Sequence, residues 1–298
     1  MSWKNLTWFA IAVLIIINAV FAIIVFSDYR SNNYYDASSI SEMIDLLAQS
    51  DITLDNKIFP SKRLSLPVFS ASDSVNSFER AVSSLAGEDA VISDGECTFE
   101  KNGGTYTLSE DYKIRFADDS YEYIDKTAGE KVTDRSELRH VKKAAQSFVG
   151  EILSASGDSA AKAAASLSYV ADDVYRVGDG IYSATIREYI DTYKTVNTIK
   201  ITVASGKVVF AEGSMMFAPP TNTFSANNYE LFGILIKEKR YFDSLESTSP
   251  MTVSSIEYVY DVCFDVFNNV YMIPACAITY TDGTVHIYDV VSSDIISE

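Results

Sequence analysis

Cysteine, histidine and positive charge are the scarce resources of this chain. Cys97, Cys263 and Cys276 are too few and too scattered for a disulfide framework, and none belongs to a C-x-x-C pair. Cys263 and Cys276 fall in neighbouring predicted strands, so one bridge between them and a pair of buried free thiols both stay open. The two histidines, His140 and His286, lack any second histidine at ligand spacing, which excludes a zinc protease of the H-E-x-x-H type. Lys plus Arg total 24 against 41 Asp plus Glu, a net charge of -17, and such a surface repels phosphate backbones. Nucleic-acid binding is therefore excluded. The acidity keeps an exposed domain in solution or meets a basic partner.

Catalytic signatures are missing as well. Ser159 and Lys162 have S-x-x-K spacing, but about two such matches arise by chance in a chain this rich in Ser and Lys, and no S-x-N or K-T-G accompanies it. There is no G-x-S-x-G, Walker loop or dinucleotide fingerprint. The pairs Asp118-Asp119 and Asp172-Asp173 lack the spacing that wraps oxygens around calcium and read as solvated turn charge. No catalytic, cofactor-binding or metal-binding residue emerges, no cofactor or small-molecule substrate is implied, and the expectation is a protein that is not an enzyme.

What the chain has in abundance is apolar sequence at its start. Residues 6–26, LTWFAIAVLIIINAVFAIIVF, contain no charge. At about 1.5 Å per residue this run would match a hydrocarbon core of ~30 Å. A cleaved signal peptide is the competing reading, but its apolar region is shorter, roughly 7 to 15 residues. The expectation is a retained single-pass transmembrane helix at 6–26, with a cytoplasmic tail at 1–5 and everything after residue 26 outside the cytoplasm. Asn18 lies near the middle of the run. An amide there either bonds its own backbone or meets a partner helix, and Asn18 is the one residue nominated for a partner contact in the membrane.

Beyond a polar linker at 27–36, Ser39 and Glu42 have capping-box spacing, and Ile40, Met43, Ile44 and Leu47 make a helical stripe. Residues 52–59 alternate like a strand, and Val75, Phe78, Val82 and Leu85 mark a second helix. From Ala90 the period changes to two, with Asn102-Gly103 at a hairpin turn. The same order recurs: a long helix over 134–154, an Ala-rich segment that reads as a further helix, then strands joined at Ser205-Gly206. A third, shorter round holds a weaker helical pattern in LFGILIKEKRYF and strands turning at Asp282-Gly283. The predicted class is α+β: one transmembrane helix plus an outer domain of repeated helix-then-antiparallel-sheet units. The first unit covers 37–127 and the second region 128–298, with a further division near 225.

The start Met1-Ser2-Trp3 leading into the apolar run, Asn18 within it, Pro60 and Leu66-Pro67 after the first outer helix, and the closing series SSIEYVYD, Pro274, Asp282-Gly283 and Tyr288 resemble the YycI and YycH family, as a distant member. That family consists of membrane-anchored regulators of a sensor histidine kinase in low-GC Gram-positive bacteria. The resemblance implies a PepSY-like sheet domain and a non-enzymatic regulator of a two-component system. Its partners would be the membrane, a sensor histidine kinase and a sister regulator, reached through transmembrane and outer-domain contacts. The rival reading is a tethered binding module that recruits or inhibits a cell-wall or secreted enzyme.

Overall fold

A computed structural model describes residues 15, 17–22, 27, 33–60, 62–63, 66–71, 74–87, 90–118, 120–125, 129–155, 165–217, 219–225, 231–245, 249–264, 269–292 and 294–297. Fifteen strands carry the described fold, in a mixed sheet arrangement with both parallel and antiparallel pairs. Contacts divide the chain into two compact units. One comprises 1–65, 228–257 and 276–298, the other 66–227 and 258–275.

In the first unit, helix α1 (Ala37–Ala48) begins where the Asp36 carboxylate accepts the Ser39 backbone N–H at 3.3 Å, so the cap is Asp36, three residues earlier than the Ser39 box read from the sequence. Ile40, Met43 and Leu47 are its buried stripe. The short strand β1 (Ile52–Thr53) follows, and the chain then turns at 56–58, so the alternating pattern of 52–59 yields only two strand residues. Tyr35, Phe59 and Phe232 cluster with ring centroids 4.8–5.5 Å apart, and the Tyr35 hydroxyl accepts the Leu231 N–H at 3.1 Å.

In the second unit the strands in chain order are β2 (Val68–Ala71), β3 (Glu96–Lys101), β4 (Gly104–Ser109), β5 (Lys113–Ala117), β6 (Glu130–Lys131), β7 (Leu167–Gly178), β8 (Ile181–Ile190), β9 (Tyr193–Ala204), β10 (Lys207–Ser214) and β11 (Asn222–Phe224). Two later strands, β12 (Met251–Phe264) and β13 (Val270–Tyr280), each contribute residues to both units. Strand order runs β11-β2-β13-β12-β9-β10-β5-β4-β3, with β8 and then β7 extending from β9. Helices α2 (Ser74–Ala86) and α3 (Arg135–Ala155) pack on one face of this sheet. Phe78 and Val82 of α2 and Val141, Ala145, Phe148 and Ile152 of α3 are buried, as are Cys97, Tyr106, Leu108, Ile114 and Phe116 of the strands. Burying each large apolar side chain contributes about 1.5–3 kcal/mol, and this layer is the core of the unit. The opposite side of β3, β4 and β5 bears Glu96, Thr98, Thr107, Lys113 and Arg115, because strand side chains alternate between faces.

Two expectations require correction. Among the described residues no helix is long and apolar enough to cross a membrane, so the transmembrane helix and the single-pass anchor are withdrawn from the architecture. Most of 6–26 lies outside the described residues; Ile15 and residues 17–22 are helical and exposed. An apolar run records avoidance of water and does not by itself establish a membrane span. The second correction concerns the repeated helix-then-antiparallel-sheet units. Ile52 pairs in parallel with Met251, and Tyr260 in parallel with Thr195, so strands far apart in sequence are neighbours and the sheet is mixed. Period-two patterning reveals the faces of each strand but not its distant partner.

Candidate interaction groove and the buried carboxylates

Helix α4 (Leu231–Ser244) buries Leu231, Ile234, Leu235, Glu238 and Phe242, a stripe at i, i+3, i+4, i+7 and i+11. Its fourth member is a carboxylate with only 1% of its surface exposed. In the same unit, Tyr280 ends β13, and β14 (Val285–Asp289) turns His286 and Tyr288 to one face, two residues apart. The Tyr280 and Tyr288 hydroxyls donate to the two Glu238 oxygens, and His286 Nδ1 lies 2.8 Å from Oε1. Rings of Tyr241, Tyr280 and Phe242 surround the imidazole at 5.2, 5.4 and 6.0 Å. Burial first, and then the Glu238 charge, push the Tyr280 hydroxyl well above its usual pKa, so it remains a donor. The same causes push the Cys276 thiol up to about 12, which removes it as a nucleophile near neutral pH.

The second unit contains a comparable centre. Residues 184, 186, 188 and 190 of β8 point inward, and Glu188 is one of them. Its Oε2 accepts the Met216 N–H at 2.7 Å and the Tyr169 hydroxyl at 3.0 Å; its Oε1 accepts Thr195 and Asn197 Nδ2, each at 3.0 Å. Burial pushes this carboxyl above its usual value, and the four donors oppose that shift. Donors from four places on the chain converge on each of its two oxygens in pairs, which fills their lone-pair directions and fixes β8, β9 and the segment after β10 in register. Both centres are closed and internally satisfied: they hold structure together and present no face to a substrate.

The open feature of the second unit is a groove on the polar side of its sheet. Register aligns Lys200, Glu212, Arg115, Thr107 and Thr98 in one row across β9, β10, β5, β4 and β3. A neighbouring row pairs Ser214 with Lys113 and Glu96 with Ser109. Two hollows of about 510 and 580 Å³ meet over Glu212, Gly213 and Ser214. Gly213, at φ +154°, forms the floor where they meet, since a Cβ there would stand 2.0 Å from the Thr198 carbonyl oxygen. The absent side chain is what lets β10 approach β9. Thr98 and Thr107 hydroxyls bond at 3.1 Å, and Lys200 lies 5.8 Å from the Tyr123 ring centroid. Arg115 and Glu212 make no ion pair within 4.0 Å among the described residues, so their charges are available to a partner.

The residues singled out in the sequence are not brought together. Asn18 is helical and exposed, and no partner chain is present to test its nomination. His140 is exposed on α3, with Nδ1 3.1 Å from the Ser136 carbonyl oxygen. Ser159 and Lys162 lie outside the described residues, as do Asp119 and most of the Ala-rich segment. Asp172 pairs with Arg187 at 3.4 Å beside an irregularity in the β7–β8 pairing, where Asp173 has φ 47°. None of the three cysteines is in a disulfide, so the bridge left open between Cys263 and Cys276 is not formed. Among the described residues no group of three or more His, Cys, Asp or Glu is placed to hold a metal ion. Glu188 and Glu238 were missed, although each carried a signal: a carboxylate standing at a core position of an otherwise apolar alternation or stripe.

Comparison with known proteins adds structural likeness alone. The chain matches no protein-family profile, and no curated protein matches it. It is similar to the crystal structure of an uncharacterized protein from Eubacterium rectale ATCC 33656, at 11% identity and a TM-score of 0.40, over 87% of this chain and 98% of that one.

Proposed function

We propose that this chain is a non-catalytic regulator that binds a partner protein on the groove of its larger unit. The partner, on the resemblance to YycI and YycH, is a sensor histidine kinase whose outer portion meets the chain outside the cytoplasm, with a sister regulator alongside. The observation that carries the reading is the cross-strand row Lys200–Glu212–Arg115–Thr107–Thr98, a concave polar surface with alternating charge in an otherwise acidic protein. Such a row gives register and orientation to a protein partner whose charges alternate in the complementary sense. The closed state of Glu188 and Glu238 supports a structural role for the two buried carboxylates.

The test is direct binding between the full chain and the purified outer portion of the organism's sensor kinase, measured by calorimetry. Arg115→Glu with Lys200→Glu inverts two of the three charges in the row and is expected to weaken binding by on the order of tenfold to a hundredfold. Binding that is unchanged by this double substitution refutes the groove as the docking face. Failure of the unmodified chain to bind the kinase refutes the choice of partner.

A further inference from the structure

Strand β3 is an edge of the larger unit's sheet. It pairs with β4 along its whole length, from Glu96–Ser109 to Lys101–Gly104 without a register shift, and among the described residues no strand lies along its other side. The direction of its main-chain groups follows from the turn that precedes it. Asp94 and Gly95 have positive φ and close a tight turn in which Ser93 and Glu96 exchange both main-chain bonds, at 2.9 and 3.0 Å. Glu96 therefore directs its N–H and C=O away from β4. The Gly95 carbonyl, one residue earlier, accepts the Glu110 N–H at 2.9 Å, as the alternation of an antiparallel ladder requires. By the same alternation Cys97, Phe99 and Lys101 bond to β4, while Thr98 and Glu100 turn their N–H and C=O groups outward. Both residues are exposed, and among the described residues these outward groups have no main-chain partner.

The segment before the turn does not close this edge. It departs after the single pair at Ser93 and leaves Val91 77% and Ile92 41% exposed, the residues that a longer hairpin would have set opposite Thr98 and Cys97. The side chains of the edge restrict what can fill it. Glu96, Thr98 and Glu100 project to the polar face; Cys97 is buried on the other, beside a half-buried Phe99 stacked on Tyr106 at 5.3 Å between ring centroids. Glu100 makes no ion pair within 4.0 Å among the described residues. Two copies of β3 paired antiparallel about Thr98 would set Glu96 of one directly against Glu100 of the other, and like charges directly opposite destabilise a pair. A segment with a basic residue opposite Glu100 and an apolar one opposite Phe99 meets no such conflict, and the net charge of -17 favours its approach.

We infer that β3 accepts an extended segment of a partner protein as an added antiparallel strand, held by the outward main-chain groups of Thr98 and Glu100 and selected for a basic residue opposite Glu100. Strand addition draws affinity from main-chain bonds and specificity from alternate side chains. The cross-strand row of the groove ends at Thr98, so the added strand extends the groove's floor. The inference rests on the edge and not on the charges of the groove or the choice of kinase, so either assignment can fail without the other.

The probe is the synthetic peptide Thr-Val-Arg-Ile-Thr-Val, whose Arg, Ile and second Thr fall opposite Glu100, Phe99 and Thr98, labelled with fluorescein and titrated with the full chain while anisotropy is followed. Saturable binding is expected, with the Thr98 and Glu100 amides gaining protection from hydrogen exchange. Glu100→Pro removes a donor that β4 does not use, a change an edge strand tolerates, and weakens binding about tenfold. Glu100→Arg keeps the strand, weakens the peptide about tenfold and makes a counterpart with Glu in place of Arg the tighter binder. Far-UV circular dichroism verifies that both variants fold. Absence of saturable binding overturns the inference, as does binding that both substitutions leave intact. Protection of the Thr98 amide before any peptide is added also overturns it, since the edge is then filled by the chain's own residues 90–92 or by a second copy.

Discussion

Removing the Glu188 carboxylate distinguishes a structural hub from a buried charge that the fold merely tolerates. In Glu188→Gln, the retained oxygen can keep the Met216 N–H, now at 2.7 Å, and the Tyr169 hydroxyl, while the new amide faces Thr195 and Asn197. The Asn197 amide can flip to offer its oxygen, so the four contacts persist in altered geometry and the loss is about 1–2 kcal/mol. In Glu188→Leu, the Tyr169 hydroxyl can turn to the Met216 carbonyl at 2.9 Å, but the Met216 N–H and the Asn197 amide are stranded. Two stranded donors cost about 2–6 kcal/mol, with 4 as the working figure and a fall in Tm on the order of 10 °C. The assay is urea unfolding followed by far-UV circular dichroism, since both tryptophans, Trp3 and Trp8, lie at the N-terminal end of the chain. The pH dependence follows from the raised carboxyl. A group whose folded value lies above its unfolded value of 4.5 contributes stability below 4.5 that is lost as pH rises through the folded value. Glu188→Gln removes that contribution, so its deficit against the unmodified chain narrows as pH is raised from 4.5. A leucine variant as stable as the glutamine variant, or a deficit that widens with pH, refutes the reasoning.

Three further outcomes are expected. Gly213→Ala drives a Cβ to 2.0 Å from the backbone oxygen of Thr198, which cannot move aside as a flexible side chain would, so a loss of more than about 3 kcal/mol is expected in the same unfolding assay. Tyr280→Phe and Tyr288→Phe each remove a hydroxyl donor from the buried Glu238, at about 1–3 kcal/mol apiece; because both serve one carboxylate, the double variant departs from the sum of the two. Cys263, half-buried, reacts first with a thiol-alkylating reagent, while Cys97 and Cys276, both buried and with thiol pKa values raised by that burial, are protected until urea unfolds the chain. Peptide mass mapping reads the order of modification, and early labelling of Cys276 contradicts the packing described around Glu238.

Local signals were legible to different depths. The stripe Ile40, Met43 and Leu47 is the buried face of α1, and the Asn102-Gly103, Ser205-Gly206 and Asp282-Gly283 pairs all lie in turns, with both residues left-handed in the first two and Gly283 alone at positive φ in the third. Each of these depends on residues within a turn or two of one another. The parallel pairs Ile52–Met251 and Tyr260–Thr195 depend on segments far apart in the chain, and nothing in either segment announces the other. The strand expected at 52–59 ended early because its alternation was too short to outweigh the turn that follows. The groove was hidden for a related reason. Lys200, Glu212, Arg115, Thr107 and Thr98 each look like ordinary solvated strand residues, and only the register of five strands aligns them. Glu238 was obscured by its neighbours: in LFGILIKEKRYF the cluster Lys237, Lys239 and Arg240 suggests a solvated face, yet 238 is the position that continues the stripe of 231, 234 and 235.

The groove as the docking face is tested most directly by photocrosslinking in living cells. A photoreactive residue is placed at Thr107, in the middle of the row, and in a separate variant at Lys142, exposed on α3 of the helical side. Capture of the sensor kinase from position 107 and not from 142 is the predicted result. Capture from 142 with none from 107 would contradict the account and move the docking surface to the helical side of the unit.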